Sequence, residues 1–309
     1  MLAQTYTFTN AGATGMTGPT QDQVNSTYTS GNTLDGGVTI NTQGIQEWTV
    51  PVTGIYTIEV WGAQGSYQTG SGFHYGGGGK GARMKGDFSL TQGEVLQVLV
   101  GQQGQGWYLS GGGGGGTYVA KGSAYSSATP LIISGGGGTN RDGSAMDWSV
   151  VNATDNEKGN DGVDNSQTWA EDWRGVGGSD GQGGGSGGGG TGGAGFYGDG
   201  GPNKDTRGTA ISAKSFTNGG GGAYFDFYGP MIGGFGGGGA GGWGGSAGGG
   251  GYSGGGGGSN GTNAGYGGGG GSYNAGINQD NAGGVREGHG QVVITTVTSV
   301  STVSSVSST

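Results

Sequence analysis

Residues 235–261 read FGGGGAGGWGGSAGGGGYSGGGGGSNG, and the state of this stretch decides how much of the chain folds. Glycine loses more backbone freedom on folding than any other residue and brings no side chain to bury. One interpretation is therefore a flexible spacer. The other is a polyproline II rod, which makes no internal hydrogen bonds, so that its N–H and C=O groups turn outward and can pair with a neighbouring glycine rod.

The composition favours an ordered chain. Of the 309 residues, 90 are glycine and only 10% are charged, while there are 7 Trp, 14 Tyr and 8 Phe. Disordered chains are poor in aromatic residues and rich in charge, which is the reverse of this pattern. Collagen is excluded because the glycines do not recur strictly at every third position.

Charge and hydropathy exclude several classes of partner. The net charge of -9 argues against nucleic acid and against anionic membrane surfaces, both of which select basic patches. No apolar run approaches the roughly 18 residues that span a bilayer, so membrane insertion is not expected. The start, MLAQTYTF, shows no signal peptide, so export would begin from a mature end or use another route. The chain has no cysteine, which rules out disulfides and thiolate metal sites.

The first hundred residues predict an antiparallel β-sandwich. Period-two alternation, β-branched residues and closely spaced turn signals are typical of that architecture. In IYTIEVW, the side chains of Tyr56, Ile58 and Val60 are expected on the buried face. The predicted strands are 5–10, 38–40, 45–50, 54–62, 82–90 and 94–101, with strand-like segments at 117–120 and 131–134 between glycine runs.

Residues 139–175 are acidic and rich in tryptophan, and we expect them as an insertion on the surface of the glycine-rich region. Thr168 and Glu171 have the spacing of a capping box for one helical turn. Oxygen-rich loops bind hard cations such as calcium, although the EF-hand spacing is absent and a solvated acidic loop is the competing interpretation. The candidate calcium ligands are Asp155, Glu157, Asp161 and Asp164.

The sequence predicts no enzyme and no other cofactor. Three G-x-S-x-G matches lack the strand, sharp turn and helix that expose a hydrolase nucleophile. HYGGGGKG is not a phosphate-binding loop, because His74 replaces the first glycine and Gly81 replaces Ser or Thr. His289 precedes a predicted strand, where we expect it to make a structural hydrogen bond. The three serine matches lie at 184–188, 244–248 and 251–255.

Several segments, in order along the chain, carry a family resemblance. GPTQ at 18–21, LVGQQG at 99–104 and EGHG at 287–290 are specific, since none of them follows from glycine abundance. Longer matches are GIQEWTVPVTGIYTIEVWGAQG at 44–65 and PLIISGGGG at 130–138. On these residues the chain resembles the extracellular region of the anaplastic lymphoma kinase and leukocyte tyrosine kinase receptors.

The resemblance implies an all-β fold with almost no α-helix: a sandwich like that of tumour necrosis factor, with an inserted bundle of polyglycine II rods. The sandwich would take residues 1–105 and be closed by a strand at 286–295, and the glycine bundle would take 106–285. Family cysteines fall at Ala11 and Val24, which implies an apolar contact in place of a disulfide. The 309 residues include no kinase domain, so receptor signalling is not implied.

The tail at 296–309 has an unusual period. After Ile294, valines recur at every third residue, separated by Ser or Thr. This period is not the two of a strand, and it fits either a threefold extended helix with one apolar edge or a regular Ser/Thr linker. A docked segment needs an apolar edge, so we predict that the tail contacts another copy of the chain. The predicted assembly residues are Val297, Val300, Val303 and Val306.

Two functions are compatible with the sequence. The first is a secreted, non-enzymatic structural protein that self-assembles into an extracellular filament or surface layer. The second is an adhesin or ligand-recognition module that binds a cell-surface glycan or protein receptor through aromatic side chains on loops between rods. Those aromatic side chains would otherwise cap rods or fill gaps. They are Tyr108, Trp169, Trp173, Trp243 and Tyr252.

Overall fold

The computed structural model describes residues 3–66, 78–107, 110–140, 147–164, 174–204, 207–226, 229–242, 244–259 and 265–297. Strands dominate these residues and pair antiparallel, which confirms the predicted all-β class. The strands are β1 (Thr5–Phe8), β2 (Val38–Thr42), β3 (Ile45–Thr49), β4 (Gly54–Trp61), β5 (Gly81–Leu90), β6 (Val95–Leu99), β7 (Gly106–Trp107), β8 (Ser110–Gly111), β9 (Thr117–Lys121), β10 (Thr129–Ser134), β11 (Thr209–Ile211), β12 (Tyr224–Asp226), β13 (Pro230–Ile232), β14 (Tyr273–Asn274), β15 (Ala282–Arg286) and β16 (Gln291–Thr296).

Two sheets pack into a sandwich. The five-stranded sheet has the order β1-β16-β4-β5-β15 and the six-stranded sheet has the order β14-β10-β9-β6-β3-β2. One buried cluster takes side chains from both sheets, including Phe8 and Tyr56 from the first and Trp48 and Leu96 from the second. The predicted inward face of β4 is confirmed, because its alternate residues from Tyr56 to Val60 are buried.

The last strand, β16, runs in a defined direction relative to the glycine region. β16 pairs with β4 so that Gln291 lies opposite Trp61 and Thr296 lies opposite Tyr56. Beyond Trp61 the chain enters the glycine region, where the Ala63 N–H donates to the Gly115 carbonyl at 3.0 Å. β16 therefore runs away from the glycine region. β16 ends at the opposite end of the sheet from the glycine region, and we call that end the distal pole.

Helix is a minor component. α1 (Gln21–Thr27) was not among the predicted elements, although its start carries a capping box. The Gln23 N–H donates to Thr20 Oγ1 at 3.3 Å, and the Thr20 N–H donates to Gln23 Oε1 at 2.9 Å. Among the described residues, the other helical segments are one turn long: α2 (Trp148–Val151) and the 3-10 turns Tyr125–Ser127 and Phe216–Asn218.

The described glycine runs are buried and bond directly to one another. The Gly114 N–H donates to the Gly137 carbonyl (2.8 Å), the Gly136 N–H to the Gly250 carbonyl (2.7 Å), and the Gly250 N–H to the Gly114 carbonyl (2.9 Å). Three runs distant in sequence are therefore joined pairwise through their backbones. The flexible-spacer interpretation is wrong for these runs, because buried backbone groups with fixed partners do not behave as a linker. The polyglycine II geometry itself stays a prediction.

The sandwich and the glycine region interlock across the predicted border between residues 105 and 106, and the division into two domains stays a prediction. β9, β10 and β14 lie within the segment predicted as a glycine bundle, yet they complete the six-stranded sheet. A second apolar cluster then ties the two regions together: Phe196, Phe216 and Phe235 from the glycine region pack with Leu99 and Tyr118 from the sandwich. Strand pairing is set by partners distant in sequence, so strands from between the glycine runs can belong to the sandwich sheet.

The described part of the acidic segment lies on the glycine runs, as expected. The Asn160 N–H donates to the Gly269 carbonyl at 2.9 Å, and the Gly159 N–H donates to the Gly178 carbonyl at 3.0 Å. The predicted capping box of Thr168 and Glu171 lies outside the described residues. The described part of the segment is therefore anchored to the glycine runs through backbone hydrogen bonds.

Candidate functional site

His289 has the structural role expected from the sequence. Its Nδ1 accepts a hydrogen bond from the Gln103 N–H at 3.0 Å, which requires an unprotonated nitrogen. Burial, together with the nearby Arg286 guanidinium, lowers the pKa of this imidazole. Arg286 Nε also donates to the His289 carbonyl at 2.9 Å. The ring therefore ties β16 to the loop after β6, while His74 lies outside the described residues.

The serines of the G-x-S-x-G matches are enclosed. Ser246 and Ser253 are buried, and Ser253 Oγ accepts a hydrogen bond from the Gly181 N–H at 3.2 Å. Such a serine contacts glycine backbone instead of a substrate. Across the part of the chain that the structure describes, no group of three or more His, Asp or Glu side chains is placed to hold a metal ion.

The four candidate calcium ligands have separate surroundings. Asp155 and Glu157 are exposed. Asp161 Oδ1 faces Lys158 Nζ at 3.3 Å and accepts a hydrogen bond from the Gly177 N–H at 2.9 Å. Asp164 Oδ1 accepts from the Ser259 hydroxyl at 2.8 Å. Two of the four carboxylates are thus held by the protein itself.

A polar cleft in the same segment was not found by sequence reasoning. It encloses about 600 Å³, and Asn160 holds its wall by donating to the carbonyls of Ser149, Val150 and Asn152 at 2.9–3.1 Å. Trp148, which is 46% exposed, directly precedes this wall. The density of Asn, Ser and Thr at 149–160 was its sequence signal. The lining residues are Ser149, Val150, Thr154, Asn156, Lys158, Gly159, Asn160, Asp161, Gly162, Val163 and Arg174.

The predicted recognition aromatics are described at only one position. Tyr252 is half-buried and stacks on Tyr273, with ring centroids 4.7 Å apart and planes inclined by 25°. Both rings pack against the second apolar cluster, so Tyr252 fills a gap instead of standing exposed. The exposed aromatics that the structure does describe, Trp148 and Tyr197, were not singled out from sequence. Tyr108, Trp169, Trp173 and Trp243 lie outside the described residues.

The distal pole presents apolar side chains where the tail begins. The Val297 N–H donates to the Ile55 carbonyl at 2.8 Å, which holds the first tail residue on the sheet. Val297 is 47% exposed, Ile55 is 38% exposed and Val52, in the turn before β4, is 45% exposed. The assembly candidate Val297 is therefore at the surface. Val300, Val303 and Val306 lie outside the described residues.

Asp199 is the most strongly perturbed described carboxylate. Burial opposes its ionisation, but hydrogen bonds from Asn218 Nδ2 and the Ser215 N–H, with the Lys214 ammonium at 2.9 Å, lower its pKa to about 2. The carboxylate thereby fastens the loop at 214–218 to the glycine region. Its interactions are all internal, which indicates a structural role.

These features define an all-β, glycine-rich protein whose described histidine and serines are engaged in structure. No family model matches the chain. A stretch of 104 residues is 38% identical to the leukocyte tyrosine kinase receptor of Mus musculus, covering 32% of this chain and 11% of the receptor. The family resemblance is thus supported over about a third of the chain, which spans only about a tenth of that receptor. None of the helices in the described residues has the length and apolar character needed to cross a bilayer.

Proposed function

We propose that this chain is a non-enzymatic extracellular structural protein, a subunit of a filament or surface layer whose C-terminal tail binds a neighbouring copy. Similarity to a region of a cell-surface receptor is compatible with a non-enzymatic role outside the cell. The observation that carries the proposal is the direction of β16, which brings Val297 to the distal pole while the glycine region occupies the other end.

This polarity suits head-to-tail assembly. A contact between two different surfaces of the same molecule propagates into a fibre when its rotation does not close a ring. Exposed Val52, Ile55 and Val297 give the distal pole an apolar surface that a neighbour can cover. The cross-bonded glycine runs supply stiffness without any cysteine, because each run is held by backbone hydrogen bonds to others.

Truncation tests the proposal. Deleting residues 298–309 keeps β16 and the bond between Val297 and Ile55, so the sandwich should stay folded. Sedimentation velocity and negative-stain electron microscopy would compare this variant with the full chain. A matched control retains tail length but replaces Val300, Val303 and Val306 by serine.

The full chain should assemble with increasing concentration, while both variants stay monomeric with unchanged circular dichroism. If the truncated chain forms the same assemblies as the full chain, the tail is only a linker and the proposal is wrong. If the serine variant assembles normally while the truncation does not, the tail binds through its backbone and not through its valines.

Recognition of a ligand is a second candidate function, and the polar cleft favours it. Hydroxyl and amide side chains suit a polyhydroxylated ligand, and Arg174 suits a carboxylate, whereas Lys158 is paired with Asp161. The wall is preorganised by Asn160 and by backbone bonds to the glycine runs, which reduces the ordering cost of binding. The ligand class is therefore an acidic saccharide.

Calorimetric titration with a uronic acid oligosaccharide and with its neutral counterpart tests this second function. Arg174→Ala should weaken binding of the acidic sugar at least tenfold. Lys204→Ala removes an exposed cation outside the cleft and should leave binding unchanged. Equal binding of the acidic and neutral sugars would contradict a role for Arg174, and no binding of either would remove the second function.

A further inference from the structure

The outer edge of β2 is closed by a side chain. Gln21, from α1, donates through Nε2 to the Val38 carbonyl at 3.1 Å and accepts through Oε1 from the Ile40 N–H at 2.7 Å. This amide occupies the positions that a peptide group of an added strand would take. Covering an edge in this way prevents pairing with another chain.

The edges at β14 and β15 are also unsuitable for a further strand. β15 lies against residues 152 and 153 of the acidic segment: a Cβ added at Gly283 would be 2.9 Å from the Ala153 carbonyl oxygen, and one at Gly284 would be 2.6 Å from Asn152 Nδ2. β14 is only two residues long, so it offers little length for pairing. Three of the four outer edges of the sandwich are therefore covered or short.

The fourth edge, along β1, presents unpaired backbone groups. The Thr296 N–H donates to the Gln4 carbonyl, so Gln4 and alternate residues after it bond to β16. In an antiparallel pair the intervening residues, Thr5 and Thr7, then turn their N–H and C=O groups away from β16. The hydrogen bond from Thr33 Oγ1 to the Thr5 carbonyl at 2.6 Å agrees with this direction.

The part of the β1 edge whose backbone groups lack a partner among the described residues is short. The Thr5 carbonyl already accepts a hydrogen bond from the Thr33 hydroxyl, and the Thr9 N–H donates to the Tyr28 hydroxyl at 2.9 Å. Between these two contacts, no partner within the described residues takes the Thr5 N–H, the Thr7 N–H or the Thr7 carbonyl. One extended segment can pair with all three groups.

We propose that the outer edge of β1 binds the C-terminal tail of a second copy of the chain, which adds to the sheet as an antiparallel strand. This inference rests on the proposed function and names its docking site. Residues 298–309 contain only Ser, Thr and Val, with no charge and no proline to block edge pairing. Thirteen residues from Val297 onward reach about 43 Å when extended at about 3.3 Å per residue.

The geometry favours a neighbour over the same chain. A strand antiparallel to β1 is parallel to β16, because β1 and β16 are antiparallel. Joining two parallel strands within one chain takes a crossover of about a dozen residues or more. Residues 298–309 could not then serve both as the crossover and as the added strand. A second copy needs no crossover.

Cysteine cross-linking tests the docking site, and the natural chain contributes no background because it has no cysteine. Thr7→Cys protein is mixed with a second protein carrying Val300→Cys, Val303→Cys or Val306→Cys and is oxidised mildly. At least one mixture should yield a disulfide-linked dimer on non-reducing gels. Thr39→Cys, exposed on the covered edge of β2, is the matched control and should yield several-fold less dimer.

A backbone variant separates the docking site from the proposed function. Thr7→Pro removes one of the three edge groups, and proline is tolerated where an edge N–H faces solvent. It should abolish assembly while leaving the melting temperature within a few degrees, whereas Thr7→Ala should assemble normally.

If Thr7→Pro assembles like the natural chain while the 298–309 deletion does not, the docking site is wrong and the proposed function stands. If a chain with both Thr7→Cys and Val303→Cys forms only an intramolecular disulfide, binding to a second copy is refuted. If the full chain never assembles, both proposals fail.

Discussion

Replacing one glycine in the bundle should test whether backbone proximity stabilises this fold. Gly113 donates its N–H to the Gly239 carbonyl and accepts from the Gly234 N–H, both at 2.9 Å. A Cβ added at Gly113 would lie 2.1 Å from the Gly248 carbonyl oxygen. An ordinary carbon–oxygen contact needs about 3.3 Å, so the runs must separate by roughly 1 Å in Gly113→Ala.

The cost has two sources. Overpacking a close-packed interior costs about 1–3 kcal/mol. Separation of the runs also weakens two buried backbone hydrogen bonds, and each buried polar group left without a partner costs about 1–3 kcal/mol. We therefore expect Gly113→Ala to lower the free energy of unfolding by about 3–9 kcal/mol. At about 2 °C per kcal/mol for a chain of this size, the melting temperature should fall by roughly 6–18 °C.

Gly54→Ala is the matched control for Gly113→Ala. Gly54 begins β4, is exposed, and has no atom within 4 Å of an added Cβ. Alanine there should be neutral or stabilising by up to about 1 kcal/mol, because it restricts the unfolded chain. Differential scanning calorimetry of both variants gives the comparison. A Gly113→Ala protein that melts within 1 °C of the natural chain would refute the importance of close backbone approach.

Four further outcomes are expected. Ala11 and Val24 are both buried in the main core cluster, so cysteines placed at these two positions should oxidise to a disulfide without loss of fold. A pair that stays reduced in mild oxidant would mean that the first strand is wrongly aligned with the receptor family. The pKa of Asp199 is about 2 in the folded protein against an ordinary value of 3.8, so the carboxylate stabilises the fold above pH 4 and this stabilisation is lost as the pH falls towards 2. Asp199→Asn should flatten this part of the profile of melting temperature against pH. The folded pKa of His289 is lowered, so its contribution is complete above pH 6.5 and falls with acidification below that value, and His289→Gln should remove this dependence. Amides in 233–258 should exchange slowly with deuterium, and exchange at the rate of an unfolded peptide would contradict ordered runs.

The strands were predictable where the signal is local. β4 alternates buried Tyr56, Ile58 and Val60 with outward residues, and this period is written in the sequence itself. α1 was missed although Thr20 and Gln23 form a capping box, because Val24 is its only buried residue and no apolar stripe marks it. β15 was missed because AGGVR has no strand composition and gains its structure by pairing with β5.

The candidate sites depended more on tertiary structure. The aromatic side chains suggested a binding surface, but the described one, Tyr252, found a stacking partner in Tyr273, twenty-one residues further along the chain. No local pattern indicates that Gln21 covers β2 while the edge of β1 stays open, since both depend on which strands become neighbours. The valine spacing of the tail is itself a local property and can be seen in the sequence, while the role of the tail in assembly stays a prediction.

The cross-bonded glycine runs also set the heat capacity of unfolding. Exposing apolar surface raises this quantity, while exposing polar peptide groups lowers it. A chain in which 90 of 309 residues are glycine, many of them buried in these runs, buries little apolar side-chain surface there and should therefore fall below the usual value of about 12–15 cal/mol/K per residue. A smaller heat capacity change gives a flatter curve of stability against temperature. The protein should then lose little stability on cooling, so that an assembly built from it keeps its stiffness over a wide range of ambient temperatures.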